Sequence, residues 1–190
     1  DVNSNANDVG ILLSTDQEKA FDRVDHSYMI YILQKFGFND NFIRWIQILY
    51  NNVFSSVIVN NHISNKFHVT RSVRQGCPLS PLLYIICLEP VLQMIREDTE
   101  IKGKLIPGAR HTCKLSAYAD DCKFFIKNEQ SVHRIIEHFK AFGKFSGAKL
   151  SQNKSEAMFL GKWRSRLDSP FGINWVNQMT IFGIQFGDVS

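Results

Sequence analysis

Three carboxylates carry the chemistry that this sequence can be read for. Asp16 follows a short apolar run, Ile11 to Thr15, and Asp120 and Asp121 stand together between Lys114 and Lys127, about a hundred positions later. Carboxylates brought to one place repel one another unless a cation neutralises them. Mg²⁺ suits such a site, because it prefers oxygen ligands and is held by one or two carboxylates together with substrate phosphates. Two such ions, about 3.5–4 Å apart, stabilise the attacking and leaving oxygens of an in-line phosphoryl displacement. A converged set therefore implies nucleotidyl transfer. Taken singly, each carboxylate has a plainer reading: Asp-Asp in a turn is ordinarily a solvated hairpin tip, since Asp favours turns for backbone reasons, and an Asp at a strand end is common.

Whether the three converge depends on the elements that carry them. Ile11 to Thr15 suits a buried strand that delivers Asp16 at its C-terminal end. Met29, Ile32, Leu33 and Phe36 repeat at helical spacing and stop at Gly37; a second helix with the face Phe42, Trp45, Ile46 and Leu49 opens at the Asn39-Asp40-Asn41 cap. Val53 to Val59 and Ile63 to Val69, joined through Asn60-Asn61, predict a hairpin, because Asn tolerates the positive φ of tight turns. After the basic loop Arg71 to Gly76, Ser80-Pro81 reads as an N-cap followed by proline at the first helical position. The helix it opens runs to about Arg96, with Pro90 as a candidate kink, and is apolar nearly all round, hence buried.

Lys114 to Tyr118 and Cys122 to Lys127 predict a second hairpin with Ala119-Asp120-Asp121 at its tip. Val132, Ile135, Ile136, Phe139 and Phe142 mark a helix stopped by Gly147, and Ser155 to Leu160 and Thr180 to Phe186 are later strands. With the inserted helix pair and first hairpin set aside, the order is β-α-β-β-α-β. That is an α+β fold of the split βαβ, ferredoxin-like kind: one antiparallel sheet with helices on one face. In it the first strand lies beside the central hairpin, which brings Asp16 next to Asp120 and Asp121.

Composition agrees with a folded domain. The 190 residues are 44% apolar and 12% aromatic, with fifteen Phe, enough to bury a core and too apolar for a disordered chain. The longest apolar run, Leu82 to Leu88, ends at Glu89-Pro90, well short of a membrane span. Cys77, Cys87, Cys113 and Cys122 have no zinc spacing, and the six His residues show no metal pattern either; reduced thiols are expected. The polar start, Asp1 to Gly10, has no signal-peptide pattern and lacks Met, so the expectation is an excised piece of a longer intracellular protein, nuclear and cytoplasmic. Charge is uneven: Lys140 to Arg166 holds seven basic residues against Glu156 alone, whereas the whole chain nets only +4. With Phe142, Phe145 and Trp163 among them, these residues suit a polyanion such as nucleic acid, or else form a solvated helix face and a basic loop.

Four ordered segments carry a resemblance to a known family. Asp16-Gln17-Glu18-Lys19-Ala20-Phe21-Asp22-Arg23-Val24, Arg74-Gln75-Gly76-Cys77-Pro78-Leu79-Ser80-Pro81, Tyr118-Ala119-Asp120-Asp121, and Ser146-Gly147-Ala148-Lys149-Leu150 with Lys154-Ser155-Glu156 resemble successive reverse transcriptase motifs. Their wording is most similar to LINE-type, non-LTR retrotransposons, from about Ile11 to Gly187. The resemblance implies a polymerase palm in which Asp16 and Asp120 bind both metal ions, two Mg²⁺ or substituting Mn²⁺, with Asp121 beside them and the Gln17 carbonyl assisting. It implies that Phe21, next to Ala20, blocks a ribose 2′-OH, that Arg74, Gln75 and Gly76 pack on the incoming nucleotide, and that Lys154 protonates the leaving pyrophosphate. Phe182-Gly183 falls where a primer-gripping hairpin belongs, and Lys140, Lys144 and Lys149 fall to primer and template.

The implied reaction copies an RNA template into DNA from a DNA primer and dNTPs, with no membrane partner. The implied unit is a single domain, palm with part of the fingers, lacking N-terminal fingers and C-terminal thumb and completed by the rest of a parent polyprotein with its endonuclease. The alternative is a non-catalytic remnant or domesticated module that binds nucleic acid or protein. The residues also allow plainer roles: Phe21 as a core aromatic, Gly76-Cys77-Pro78 as a turn, Lys154 as a surface lysine. Three positions depart from the usual pattern: Ser72 and Asn61 stand where glycine is usual, and Phe182 where leucine is.

Overall fold

The computed structural model describes residues 9–105, 110–181 and 183–187. In chain order the elements are β1 (Val9–Thr15), α1 (Ala20–Arg23), α2 (His26–Lys35), α3 (Asp40–Tyr50), β2 (Phe54–Ser55), β3 (Ile58–Val59), β4 (His62–Ile63), β5 (Phe67–His68) and α4 (Ser80–Glu97). They continue as β6 (Lys104–Leu105), β7 (Thr112–Cys113), β8 (Leu115–Tyr118), β9 (Asp121–Ile126), α5 (Glu129–Ser146), β10 (Glu156–Gly161), β11 (Asn174–Trp175), β12 (Gln178–Ile181) and β13 (Ile184–Gly187).

The main sheet has the order β11-β10-β1-β9-β8. β1 is its central strand, antiparallel to both β10 and β9, and this is why Ile11, Leu12 and Leu13 are all fully buried: each face of the strand is covered. Ile11 and Leu13, with Cys122, Phe124 and Phe159, face the helices and share a core with Met29, Ile46, Leu88 and Ile135. Leu12, with Phe125, Met158 and Leu160, faces the other way, against Met179 and Ile181 of the β12–β13 hairpin. Each such side chain contributes roughly 1.5–3 kcal/mol by leaving water.

Local chemistry sets the element ends. Asn39 Oδ1 accepts from the Phe42 N–H at 2.8 Å, Asp25 caps α2 through the Tyr28 N–H, and Asn128 caps α5 through the Ser131 N–H. Gly147 ends α5 at φ +78°, and a Cβ there would come within 2.8 Å of the Arg23 carbonyl, so two constraints select glycine.

Several expectations need correction. α3 buries Ile43, Ile46 and Tyr50 rather than the stripe through Trp45 and Leu49; Trp45 is 70% exposed, because α3 turns its i, i+3, i+7 row inward where it packs against α2. α4 is not buried all round: Leu82, Ile85 and Met94 are exposed, since α2, α5 and the sheet cover only one side of it. Ser80 is not a cap but the first residue of α4, buried, with its hydroxyl 3.4 Å from that of Tyr50. Pro90 sits within α4, whose run is unbroken. The first hairpin is broken into two short ladders, β2–β5 and β3–β4, although its turn is as expected: Asn60 and Asn61 both take positive φ. The parallel edge strand β11 and the β6–β7 pair were not legible in the sequence.

Candidate active site

Thr15 pairs with Cys122 across β1 and β9, so the next residue, Asp16, stands level with Asp121 at the head of the sheet. Tyr118 pairs with Asp121, which leaves Ala119 and Asp120 as the two-residue turn between β8 and β9. Ala119 is held at φ +51°, a region that a side chain with a Cβ rarely enters, and strain of this kind collects at functional turns. Asp16 is fixed on its other side. Its N–H donates to Ser155 Oγ at 3.1 Å, and its carbonyl accepts from the Ser151 N–H at 2.9 Å. The same short turn carries the exposed Lys154, whose N–H donates to the Ser151 carbonyl.

Behind these carboxylates lies Tyr84, buried in the core. Burial first, and then the electrostatic influence of Cys122, Asp120, Cys87 and Asp16, pushes its hydroxyl far up and keeps it protonated. One buried hydroxyl thus feels both Asp16 and Asp120, although 104 positions separate them. The Cys122 thiol is pushed up to about 12, by burial and then by Asp121 and Asp120. Asp121 itself is engaged: buried Lys123 places Nζ 2.5 Å from its Oδ1 and 2.6 Å from Ser14 Oγ.

Among the described residues, neither Asp16 nor Asp120 has a cationic side chain within ion-pair distance, whereas Asp121 does. No group of three His, Cys, Asp or Glu side chains among the described residues could hold a metal unaided. Two unneutralised carboxylates are hard oxygen donors of the kind that hold Mg²⁺ when phosphates complete the shell, and in that sense the residues fit the ion.

The other site residues fall around this edge. Ala20 and Phe21 begin α1, and the Phe21 ring lies flat on Tyr84, centroids 4.7 Å apart. The Phe21 carbonyl accepts from the Val73 N–H at 2.8 Å, and Gln75 Nε2 donates to Asp22 Oδ1 at 3.2 Å, which ties the Arg71 to Gly76 loop to α1. Arg74 donates to the Leu49 carbonyl and lies over the Tyr50 ring; Gly76 turns the chain at φ +81°. Gln17 is buried beside Leu150, and its Nε2 has no partner among the described residues. Lys149 is paired with Glu18 at 2.8 Å, and Arg166 with Glu129 and Asp168, so the basic segment presents Lys140 and Lys144 as its exposed cations on α5. Gly183 turns the β12–β13 hairpin at φ +82°, while Phe182 lies outside the described residues.

Sequence reasoning missed Ser151, Ser155, Lys123 and Tyr84. Strand alternation held one signal: if Cys122 and Phe124 face the core, Lys123 must share the face of Asp121. Nothing in the spacing marked Tyr84.

With this geometry in place, comparison with known proteins decides the family. The family model "Reverse transcriptase (RNA-dependent DNA polymerase)" matches residues 2–186. The chain belongs to the reverse transcriptase family. It is 35% identical over 149 residues to the transposon TX1 uncharacterized 149 kDa protein of Xenopus laevis, covering 78% of this chain and 11% of that protein. It is 27% identical over 147 residues to a Pol polyprotein from the R2 retrotransposable element of Popillia japonica, covering 75% of this chain and 23% of that protein. These likenesses put this reverse transcriptase with the LINE-type, non-LTR elements. A telomerase structure from Candida tropicalis, solved with a fragment of telomeric RNA, shares the fold at a TM-score of 0.63 and 14% identity, over 95% of this chain and 29% of that one. The chain thus spans under a third of each of these three proteins.

Proposed function

We propose that this reverse transcriptase segment is the palm, with part of the fingers, of an RNA-directed DNA polymerase that adds dNMP units to a primer 3′-OH. The observation that carries the reading is the pairing of Thr15 with Cys122, which sets Asp16 level with Asp121 and beside the Asp120 turn. The order β10-β1-β9-β8, with α4 and α5 in the two crossovers, supports reading the core as the split β-α-β-β-α-β palm.

In the reaction, the primer 3′ oxygen forms a bond to the α-phosphorus of a dNTP, the α–β bridging bond breaks, and pyrophosphate leaves. Asp16 and Asp120 are the residues that would hold two Mg²⁺, or Mn²⁺ in their place, which when bound supply charge stabilisation to the attacking and leaving oxygens. Lys154, on the turn bonded to Asp16, donates a proton to the departing pyrophosphate. Phe21 excludes a ribose 2′-OH, Gln75 and Gly76 border the nucleotide, and Lys140 and Lys144 face nucleic acid. The remaining fingers, the thumb and the endonuclease belong to the parent polyprotein.

A second reading, a remnant that binds without catalysis, is favoured by one observation: Lys123 already neutralises Asp121. Primer extension on poly(rA)/oligo(dT) with Mg²⁺ separates the two. The parent protein should extend primers, and this chain alone should bind Mg²⁺ but extend poorly, because positioning by clamping elements is worth about 7–11 kcal/mol of the barrier. A full-length protein that binds primer-template yet incorporates nothing establishes the remnant.

A further inference from the structure

Phe21 is held from three directions. Its carbonyl is fixed by the Val73 N–H, the next residue in α1 is fixed by Gln75, and its ring is backed by Tyr84 at an interplanar angle of 11°. The three supports differ in stiffness. The Gln75 bond is exposed, whereas Tyr84 is 3% exposed and sits in the core between Leu83 and Cys87. Phe21 itself is only half-buried, and its ring rests on that of Tyr84.

The Tyr84 hydroxyl adds a second peculiarity. It is buried with no hydrogen-bond partner among the described residues, and so is Gln17 Nε2; both side chains line one small cavity of about 10 Å³ with Ala20, next to Phe21. A buried hydroxyl without a partner is costly. The plain ring of phenylalanine would avoid that cost and still stack.

We infer that Tyr84 is a positioning residue for sugar selection: its ring is the rigid backstop that keeps Phe21 from yielding to a 2′-OH. The inference deepens the reading of Phe21 as the sugar-excluding residue and rests on it. An apolar wall rejects an added hydroxyl only as far as it refuses to move, about 10²-fold at best. An aromatic stack contributes beyond its buried area by an amount equivalent to about 3- to 10-fold in an equilibrium. Removing the backstop therefore forfeits part of the discrimination and leaves the wall itself in place.

The test uses the full-length parent protein and the ratio of kcat/KM for dCTP and CTP, which does not depend on the fraction of enzyme that is folded. Tyr84→Leu and Tyr84→Met, the second filling the gap with a flexible side chain, should lower the ratio about 3- to 10-fold. Tyr84→Phe keeps the stack and should leave it unchanged. Phe21→Val, measured alongside, should lower it by up to about 10²-fold. If Phe21→Val leaves the ratio unchanged, the sugar-excluding reading of Phe21 fails, and this inference with it. If Phe21→Val relaxes selection while neither Tyr84→Leu nor Tyr84→Met does, the backstop role alone is overturned. Relaxed selection in Tyr84→Phe also overturns it, because the hydroxyl would then matter more than the stack.

Discussion

Lys123 closes on Asp121, two residues before it on the same face of β9, with only 6% of its own side chain exposed and 42% of that of Asp121. The ammonium also bonds Ser14 on β1, so one buried cation links the two strands that carry the carboxylates. Lys123→Met should cost about 1.5–3 kcal/mol in metal-free buffer, the usual worth of hydrogen bonds to charged groups. It also leaves the edge more negative, so Mg²⁺ should restore part of the loss. Thermal melts with and without Mg²⁺ measure both effects. The same deficit in the two buffers would disconnect Lys123 from the proposed metal site.

Asp16→Asn and Asp120→Asn remove one charge each without changing size. In the parent protein each should lower kcat by about 10²–10³-fold, the worth of one preorganised stabilising group. Primer-template affinity at fixed salt should stay within about 2-fold, since the proposed function assigns it to cations such as Lys140 and Lys144. Near-normal turnover in either variant would remove that residue from the site.

Ser72 takes φ +101°, outside every region that suits a residue with a side chain. Its backbone bonds, from its N–H to Val24 and from His26 to its carbonyl, do not need the side chain. Ser72→Gly should therefore stabilise the fold by about 1 kcal/mol, at the low end of the usual strain cost. A rise in Tm of about 2–4 °C is the expected reading for a domain of this size. A fall in Tm would show that the serine hydroxyl, which donates to the Val73 carbonyl at 3.2 Å, outweighs the strain.

Glu18 is held down to about 2 by hydrogen bonds from Lys149 and Arg23, against an ordinary value of 4.5. A depressed carboxyl contributes stability that is present above about pH 4.5 and is lost as the pH falls towards 2. Glu18→Gln should therefore lower the urea midpoint by a constant amount above about pH 4.5, with the difference from the native protein closing by about pH 2. A difference that does not change across this window would mean that the ion pairs do not contribute.

The sequence by itself determined the family and most of the elements. Four motifs in order are a linear property, and β1, α2, α5 and the two hairpin turns follow from period, caps and positive-φ residues such as Asn60, Asn61 and Gly147, all of which act within a few residues. Amphipathic α3 shows where that stops: several apolar rows existed, and which one turned inward depended on α2, its partner. Asp16 and the Asp120-Asp121 pair were each legible as carboxylates. Only the tertiary structure decided the register that brings them level, and only packing decided that Lys123 would pair with Asp121 while Asp16 and Asp120 find no cationic partner among the described residues. Tyr84 was invisible for the same reason. A tyrosine in an apolar helix looks like any core residue until the fold lays it against a ring 63 positions away.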